Sequence, residues 1–203
     1  AFLHNIGEID GESMVSPNDA LVAASATTYD YVLANPPFGK KSSMSFTNDD
    51  GEQETDDLTY NRQDFWATTS NKQLNFVQHI RTMLKTTGRA AVVVPDNVLF
   101  EGGAGEIIRL PTGIFYAQGV KANVIFFDNR AASPDAQTSD VWYYDYRTNI
   151  HHTLKKKPMT FEHLREFVEC YNPENRHTRT ATWDGDESPE GRWRSYSREG
   201  LLE

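Results

Sequence analysis

The 203-residue chain contains one cysteine, Cys170, so it can build neither an internal disulfide framework nor a cysteine-rich metal centre. That usage fits a reducing cytosol, with Cys170 as an incidental thiol on a helix. No apolar run is long enough to span a bilayer, and the first residues show no signal-peptide pattern. Positive charge is scarce: 20 Lys and Arg stand against 29 Asp and Glu, a formal net charge of −9. That balance argues against the chain alone gripping a nucleic-acid backbone, because duplex affinity needs clustered Lys and Arg. Six histidines, His4, His79, His151, His152, His163 and His177, include no pair on a helical spacing with a carboxylate between them. No metal site is expected.

The most informative stretch is Val32 to Phe38, an apolar run that ends in Asn35-Pro36-Pro37-Phe38. Tyr29 to Ala34 read as a buried strand, with the tetrapeptide emerging at its carboxyl end. Ligands bind at that edge in open α/β sheets. Two prolines stiffen the loop and remove two backbone donors, so its carbonyls are free to accept. Asn35 adds a side-chain carbonyl and Phe38 a flat apolar face. A rigid pair of acceptors beside an aromatic plate suits a planar group carrying an exocyclic amine. The plain alternative is an Asn-Pro turn that merely closes a strand.

Along the chain, residues 1–7 read as the tail of an earlier element, and residues 39–66 as a polar loop containing the acids Asp49, Asp50, Glu52, Glu54, Asp56 and Asp57. These acids and the triplet Lys155, Lys156 and Lys157 read as solvated charge. Ser70 and Gln73 fit a capping box ahead of a helix bearing Leu74, Val77, Ile80 and Leu84 on one face, with Gly88 closing it. Arg89 to Pro95 form an apolar strand covered on both sides. Strand, helix and strand make a parallel crossover that puts Asn35 and Pro95 on one sheet edge.

Ile107 to Leu110 and Val120 to Asp128 read as further strands. Only seven residues precede Ile107 after Leu99, whereas a parallel crossover needs about 10–12 or more. Either the strand at 107 is not parallel to its predecessor, or residues are absent between Glu106 and Ile107; the spacing favours the second. Val141 to Tyr146 read as an edge strand. Residues 160–171 read as a helix capped by Thr160, with an apolar face of Phe161, Leu164, Phe167 and Val168. The polar remainder, with isolated Trp183 and Trp193, reads as a loosely packed tail or a docking surface.

Asn-Pro-Pro-Phe after an apolar strand resembles the motif of S-adenosylmethionine-dependent amino-methyltransferases, above all the DNA adenine-N6 enzymes. Four stretches in order extend the likeness: Tyr29 to Gly39, Gly88 to Phe100, Arg109 to Phe115 and Gly119 to Phe127. Together the chain resembles the methyltransferase (modification, or M) subunit of type I restriction–modification systems. The resemblance implies an α/β, Rossmann-like methyltransferase fold, present in part, with a mostly parallel sheet and an antiparallel strand. It implies transfer of a methyl group from S-adenosylmethionine to adenine N6 in duplex DNA, in a prokaryotic cytoplasm, beside a DNA-specificity subunit and a restriction subunit.

Residue by residue, the resemblance makes Asn35 and the Pro36 carbonyl the acceptors for the target amine, within a motif that includes Pro37. It makes Phe38 the aromatic that stacks on the flipped adenine, worth ~1–3 kcal/mol. Asn35 also faces the cofactor, and Asp19 matches, in part, an acid on the cofactor's adenine ring. Phe115, Tyr116 and Lys121 lie where the family builds the far wall of the base pocket. The family's Gly-x-Gly cofactor turn does not occur; Gly102, Gly103 and Gly105 follow the wrong strand. Residues 1–150 are therefore expected to be the C-terminal part of a catalytic domain whose first strands lie upstream, inactive in isolation. Residues 151–203 form a helix and tail available to a partner. Two other readings stand: a non-catalytic assembly fragment of the same complex, and an RNA or protein amino-methyltransferase.

Overall fold

The computed structural model describes residues 8–9, 12–13, 19–38, 43–47, 53–57, 60, 62–96, 106–111, 114, 121–147, 150–153 and 155–202. Among these the order is β1 (Glu8–Ile9), β2 (Glu12–Ser13), β3 (Tyr29–Ala34), β4 (Ser43–Thr47), β5 (Gln53–Asp57), α1 (Lys72–Thr82), β6 (Leu84–Pro95), β7 (Glu106–Arg109), β8 (Ala122–Asp128), β9 (Asp140–Asp145), α2 (Arg165–Tyr171), β10 (Trp193–Ser197) and α3 (Arg198–Leu202). Six strands form one mixed sheet in the order β10-β9-β7-β8-β6-β3. β3 pairs parallel with β6 and β7 with β9, while β8 is antiparallel to both β6 and β7. The expected α/β sheet with an antiparallel strand is present. A second antiparallel strand, β10, joins it on β9.

The crossover β3–α1–β6 builds the first half of the core. α1 starts at Asn71, whose side-chain oxygen accepts from the N–H groups of Gln73 (3.0 Å) and Leu74 (3.1 Å). The cap therefore sits one residue later than the Ser70 box, because Asn71 satisfies two of the orphan donors at once. The helix also stops at Thr82 rather than running to Gly88. Gly88 lies inside β6, where the pairing with β3 slips: Tyr29 faces Leu84, yet Tyr31 faces Arg89. A Cβ there would lie 2.9 Å from the Tyr29 carbonyl oxygen and 3.2 Å from that of Asp30. Close backbone approach, not a helix end, requires this glycine.

Ile80, Leu84, Ala90, Val92, Val94 and Ile125 form one buried cluster, with Val32, Ala34, Val77 and Phe127 packed against it. The opposite side of β3 is open. Tyr31 is 71% and Leu33 84% exposed, and Ala91 and Val93 of β6 are only partly buried. The expectations of a buried β3 and a doubly covered β6 fail here, because β3 is the sheet's edge and no described element covers that face.

A second cluster joins Leu110, Tyr144, Tyr146, Phe167 and Trp193. Phe167 stacks on Phe126 at 5.7 Å and meets Tyr144 edge-on at 5.3 Å, while Trp142 stacks on Trp193 at 5.4 Å. Trp193, fully buried, shows that residues after Asn172 are not a loose tail, and β10 makes β9 an interior strand. The segment 160–171 opens as a 3-10 turn, Phe161–Leu164, continues as α2 and ends at left-handed Asn172 (φ 43°). Half of its expected apolar face is on the surface: Phe161 is 67% and Val168 39% exposed. The polar loop after the motif also contains structure, the β4–β5 ribbon.

Replacing Gly88 with Ala forces the two carbonyls aside and is expected to destabilise by about 1–3 kcal/mol. A lower urea midpoint at unchanged slope checks this; an unchanged midpoint would show that β3 and β6 can separate freely at the slip.

Candidate active site

β3, β6, β7 and β9 run in one direction, so their carboxyl ends share an edge with the amino ends of β8 and β10. Asn35 to Phe38 leave β3 at this edge. Asn35, Pro37 and Phe38 are exposed and Pro36 is half-buried. Among the described residues no hydrogen bond takes the Asn35 side chain or the Pro36 carbonyl, so both acceptors are available to a ligand.

The neighbouring strand ends supply a polar belt that the sequence did not single out. Pro95 pairs with Ala122, which brings Asp96 beside Lys121 and Asn123. The Asp96 N–H donates to the Lys121 carbonyl at 3.4 Å, and Asn123 Nδ2 donates to Asp96 Oδ1 at 2.6 Å. Asn123 is fully buried, and its own Oδ1 has no hydrogen-bond partner among the described residues. A polar residue interrupting the apolar run of β8 was the available signal. On the next strands Arg109 faces both Asn123 and Asp145 in register. Arg147 bonds Asp145 through Nε (3.2 Å) and Nη2 (3.1 Å). Burial opposes ionisation of Asp145, but the hydrogen bonds and charge of Arg147, with the charge of Arg109, outweigh it and hold the carboxyl below its usual range.

Of the sequence-derived site residues, Asn35, Pro36, Pro37, Phe38 and Lys121 lie along this edge, Lys121 two strands from the loop. Phe115 and Tyr116 lie outside the described residues. Asp19 is placed elsewhere. Its carboxylate accepts from the Leu21 N–H (2.9 Å) and the Tyr60 hydroxyl (3.2 Å). Arg62 binds the Leu21 carbonyl (3.4 Å), Asp64 and His79 Nδ1 (2.9 Å), and reaches Thr82 in the last turn of α1. That turn leads into the start of β6, so the Asp19 turn sits by the amino edge. Asp19 and Asn35, the two expected cofactor contacts, thus lie at opposite edges of the sheet and are not brought together among the described residues. Among them, no three His, Cys, Asp or Glu side chains converge as metal ligands do, and no helix is long and apolar enough to cross a membrane.

Comparison with known proteins bears on what this edge does. The chain matches the family described as N-6 DNA methylase over residues 1–187. It is 41% identical over 208 residues to the type I restriction enzyme EcoKI methylase subunit of Escherichia coli K12, covering 84% of this chain and 36% of that protein. It is 40% identical over 210 residues to the StySPI methylase subunit of Salmonella potsdam, covering 85% and 37%. A crystal structure of the EcoKI M protein superposes with a TM-score of 0.65 at 37% identity, over 91% of this chain and 43% of that one. A modification subunit of a type I restriction enzyme from Vibrio vulnificus shares the fold, with a TM-score of 0.59 at 23% identity. The chain therefore spans well under half the length of these relatives.

The Arg62 cluster gives a pH test. Burial foremost, then the charge of Arg62, lowers the His79 pKa against the opposing charges of Asp64 and Asp19. An unfolded chain therefore takes up this proton before the folded one does. Stability from neutral His79 is complete above the ordinary imidazole pKa and falls as pH drops through it towards the depressed folded value. The urea midpoint is expected to decline between about pH 7.5 and 5.5. His79→Gln should flatten that decline; an equally steep decline would clear His79 of responsibility.

Proposed function

Since the chain belongs to the N-6 DNA methylase family, we propose that its carboxyl edge holds the target amine of adenine while a methyl group is transferred to N6 in duplex DNA. The observation that carries this reading is the rigid Asn35-Pro36-Pro37-Phe38 loop at a strand end, with two uncommitted acceptors beside an exposed aromatic ring. The Asn35 side-chain oxygen and the Pro36 carbonyl each accept one N–H of the amine. Held this way, the nitrogen lone pair points out of the ring plane, which raises its nucleophilicity and fixes its line of attack. S-adenosylmethionine would supply the methyl group. Phe38 stacks on the base once it has left the helix, which offsets part of the unpairing cost. Lys121, with Phe115 and Tyr116, is proposed to line the far side of the pocket.

The parent protein is proposed to act in a prokaryotic cytoplasm as the modification subunit of a type I system, with a specificity subunit that reads the sequence and a restriction subunit. The one Gly-x-Gly in the 203 residues, Gly103-Ala104-Gly105, follows β6 and not a first strand, and Leu33 of β3 is 84% exposed. Both features support a catalytic domain completed by other residues, so the isolated chain is proposed to be inactive. The alignment with the E. coli subunit, at 208 residues, is longer than this whole chain. The relative therefore carries residues that have no counterpart here, but β7 runs in unbroken register through Glu106 and Ile107, which speaks against a break between those two. Residues 151–203 are proposed to present a partner-docking surface.

Tritiated methyl transfer to DNA by the full-length protein with its specificity subunit tests the reading. Asn35→Ala is expected to lower kcat by on the order of 100-fold or more. Equal incorporation by wild type and variant would remove Asn35 from the chemistry.

A further inference from the structure

One cation on the carboxyl edge is left uncommitted. Arg109 ends β7, and its Nε is buried with no hydrogen-bond partner among the described residues. No bond from its other nitrogens is found among the described residues. The acid nearest in register, Asp145, is already engaged by Arg147 through both oxygens. The other neighbour, Asn123, has its amide committed to Asp96. Asp145 supplies charge nearby, but a buried Nε–H without an acceptor is costly to maintain unless something outside the described residues completes it.

Further cations follow the end of β9, anchored on the opposite face of the sheet from Arg109. Lys155, Lys156 and Lys157 are exposed on a turn closed by the Thr153–Lys157 bridge. The Thr153 hydroxyl accepts from the N–H groups of Lys156 (3.1 Å) and Lys157 (2.9 Å). Buried His152 fastens the turn to the sheet, with Nε2 2.9 Å from the Tyr146 hydroxyl and Nδ1 3.2 Å from the Lys157 carbonyl. Tyr146 in turn donates its N–H to the Arg109 carbonyl at 3.0 Å. The lysines are therefore presented from a pinned turn at the end of β9, in a chain whose net charge is −9.

We infer that Arg109 and the Lys155–Lys157 turn, from the two faces of the sheet end, form a rim that holds the phosphodiester backbone of the DNA substrate some distance along from the target base. This inference rests on the methylation reading. The spacing suits it. β7 stands three strands from β3, about 14 Å at ~4.8 Å per step, so the rim lies well to one side of Asn35. Planar guanidinium donors match phosphate oxygens in pairs, while lysines contribute charge. The chemistry read by Arg109 is an anionic oxygen, and the cofactor's carboxylate is the other source of one. The position of Arg109, across the sheet from the open edge of β3, favours the DNA.

The test uses the full-length protein with its specificity subunit, a fluorescein-labelled duplex of mixed sequence, and anisotropy at several salt concentrations. Arg109→Gln is expected to reduce the slope of log affinity against log salt by about 0.9, the release of one phosphate contact. Arg109→Lys should restore that slope, and calorimetric S-adenosylmethionine affinity should not move. An unchanged slope, or a loss of cofactor affinity in place of DNA affinity, would overturn the inference. Should Arg109→Gln fail to fold, the triple Gln replacement of the exposed Lys155, Lys156 and Lys157 is expected to reduce the slope by up to about 2.7; no change would overturn it equally. Asn35→Ala should leave the slope intact, so full methylation by that variant sinks the methylation reading without touching the rim.

Discussion

The fold depends on β8 being inserted antiparallel between two parallel neighbours. It pairs along its whole length with β6 and through four residues, Asn123 to Phe126, with β7, so among the described strands it alone joins the β3–β6 half of the sheet to the β7–β9–β10 half. Its side chains alternate between the two cores. Ile125 and Phe127 belong to the cluster under α1, and Val124 and Phe126 to the aromatic cluster against α2. A one-residue slip would exchange those sets, so burial on both faces fixes the register. That same register sets Ala122 opposite Pro95 and Asn123 opposite Arg109, and thereby assembles the carboxyl edge.

Chemistry at that edge divides along the sheet. At the β3 end a stiff loop offers acceptors and an aromatic ring, which is what a neutral planar amine needs. Towards β9 the offering changes to cations, with Asp145 already neutralised by Arg147. Between them stands the Asp96–Asn123 pair, a buried polar contact that ties the end of β6 to the start of β8. Holding a base and holding its backbone, the two tasks proposed here, are different electrostatic tasks, and the acceptor loop and the cations stand some three strands apart.

Much of this was legible because it follows from short-range rules. The apolar runs of β6 and β8, the crossover with α1 and the tetrapeptide at the end of β3 each carry their own signal. Three failures have physical causes. Trp193 sits in a polar segment and becomes core only because β10 pairs with β9, a partnership between residues 140–145 and 193–197 that no local pattern announces. Gly88 looks like a helix stop because its neighbours are helix-compatible, whereas the reason for the glycine is a carbonyl on another strand. Leu33 and Tyr31 read as buried because their composition is that of a covered strand, yet among the described residues nothing lies on them. Asp19 shows the same limit at the site: a motif match locates an acid in the sequence, while its partners Leu21 and Tyr60 decide where it is held.

The account joins a fold, an edge and an amine-holding loop into one claim, that this chain carries the base-holding half of an adenine-N6 methylation site. The most direct measurement is nucleoside mass spectrometry of DNA treated with S-adenosylmethionine, the full-length protein and its specificity subunit. The account predicts N6-methyladenine as the sole modified nucleoside. Methylated cytosine, or methyl groups recovered on protein or RNA in place of DNA, would contradict it.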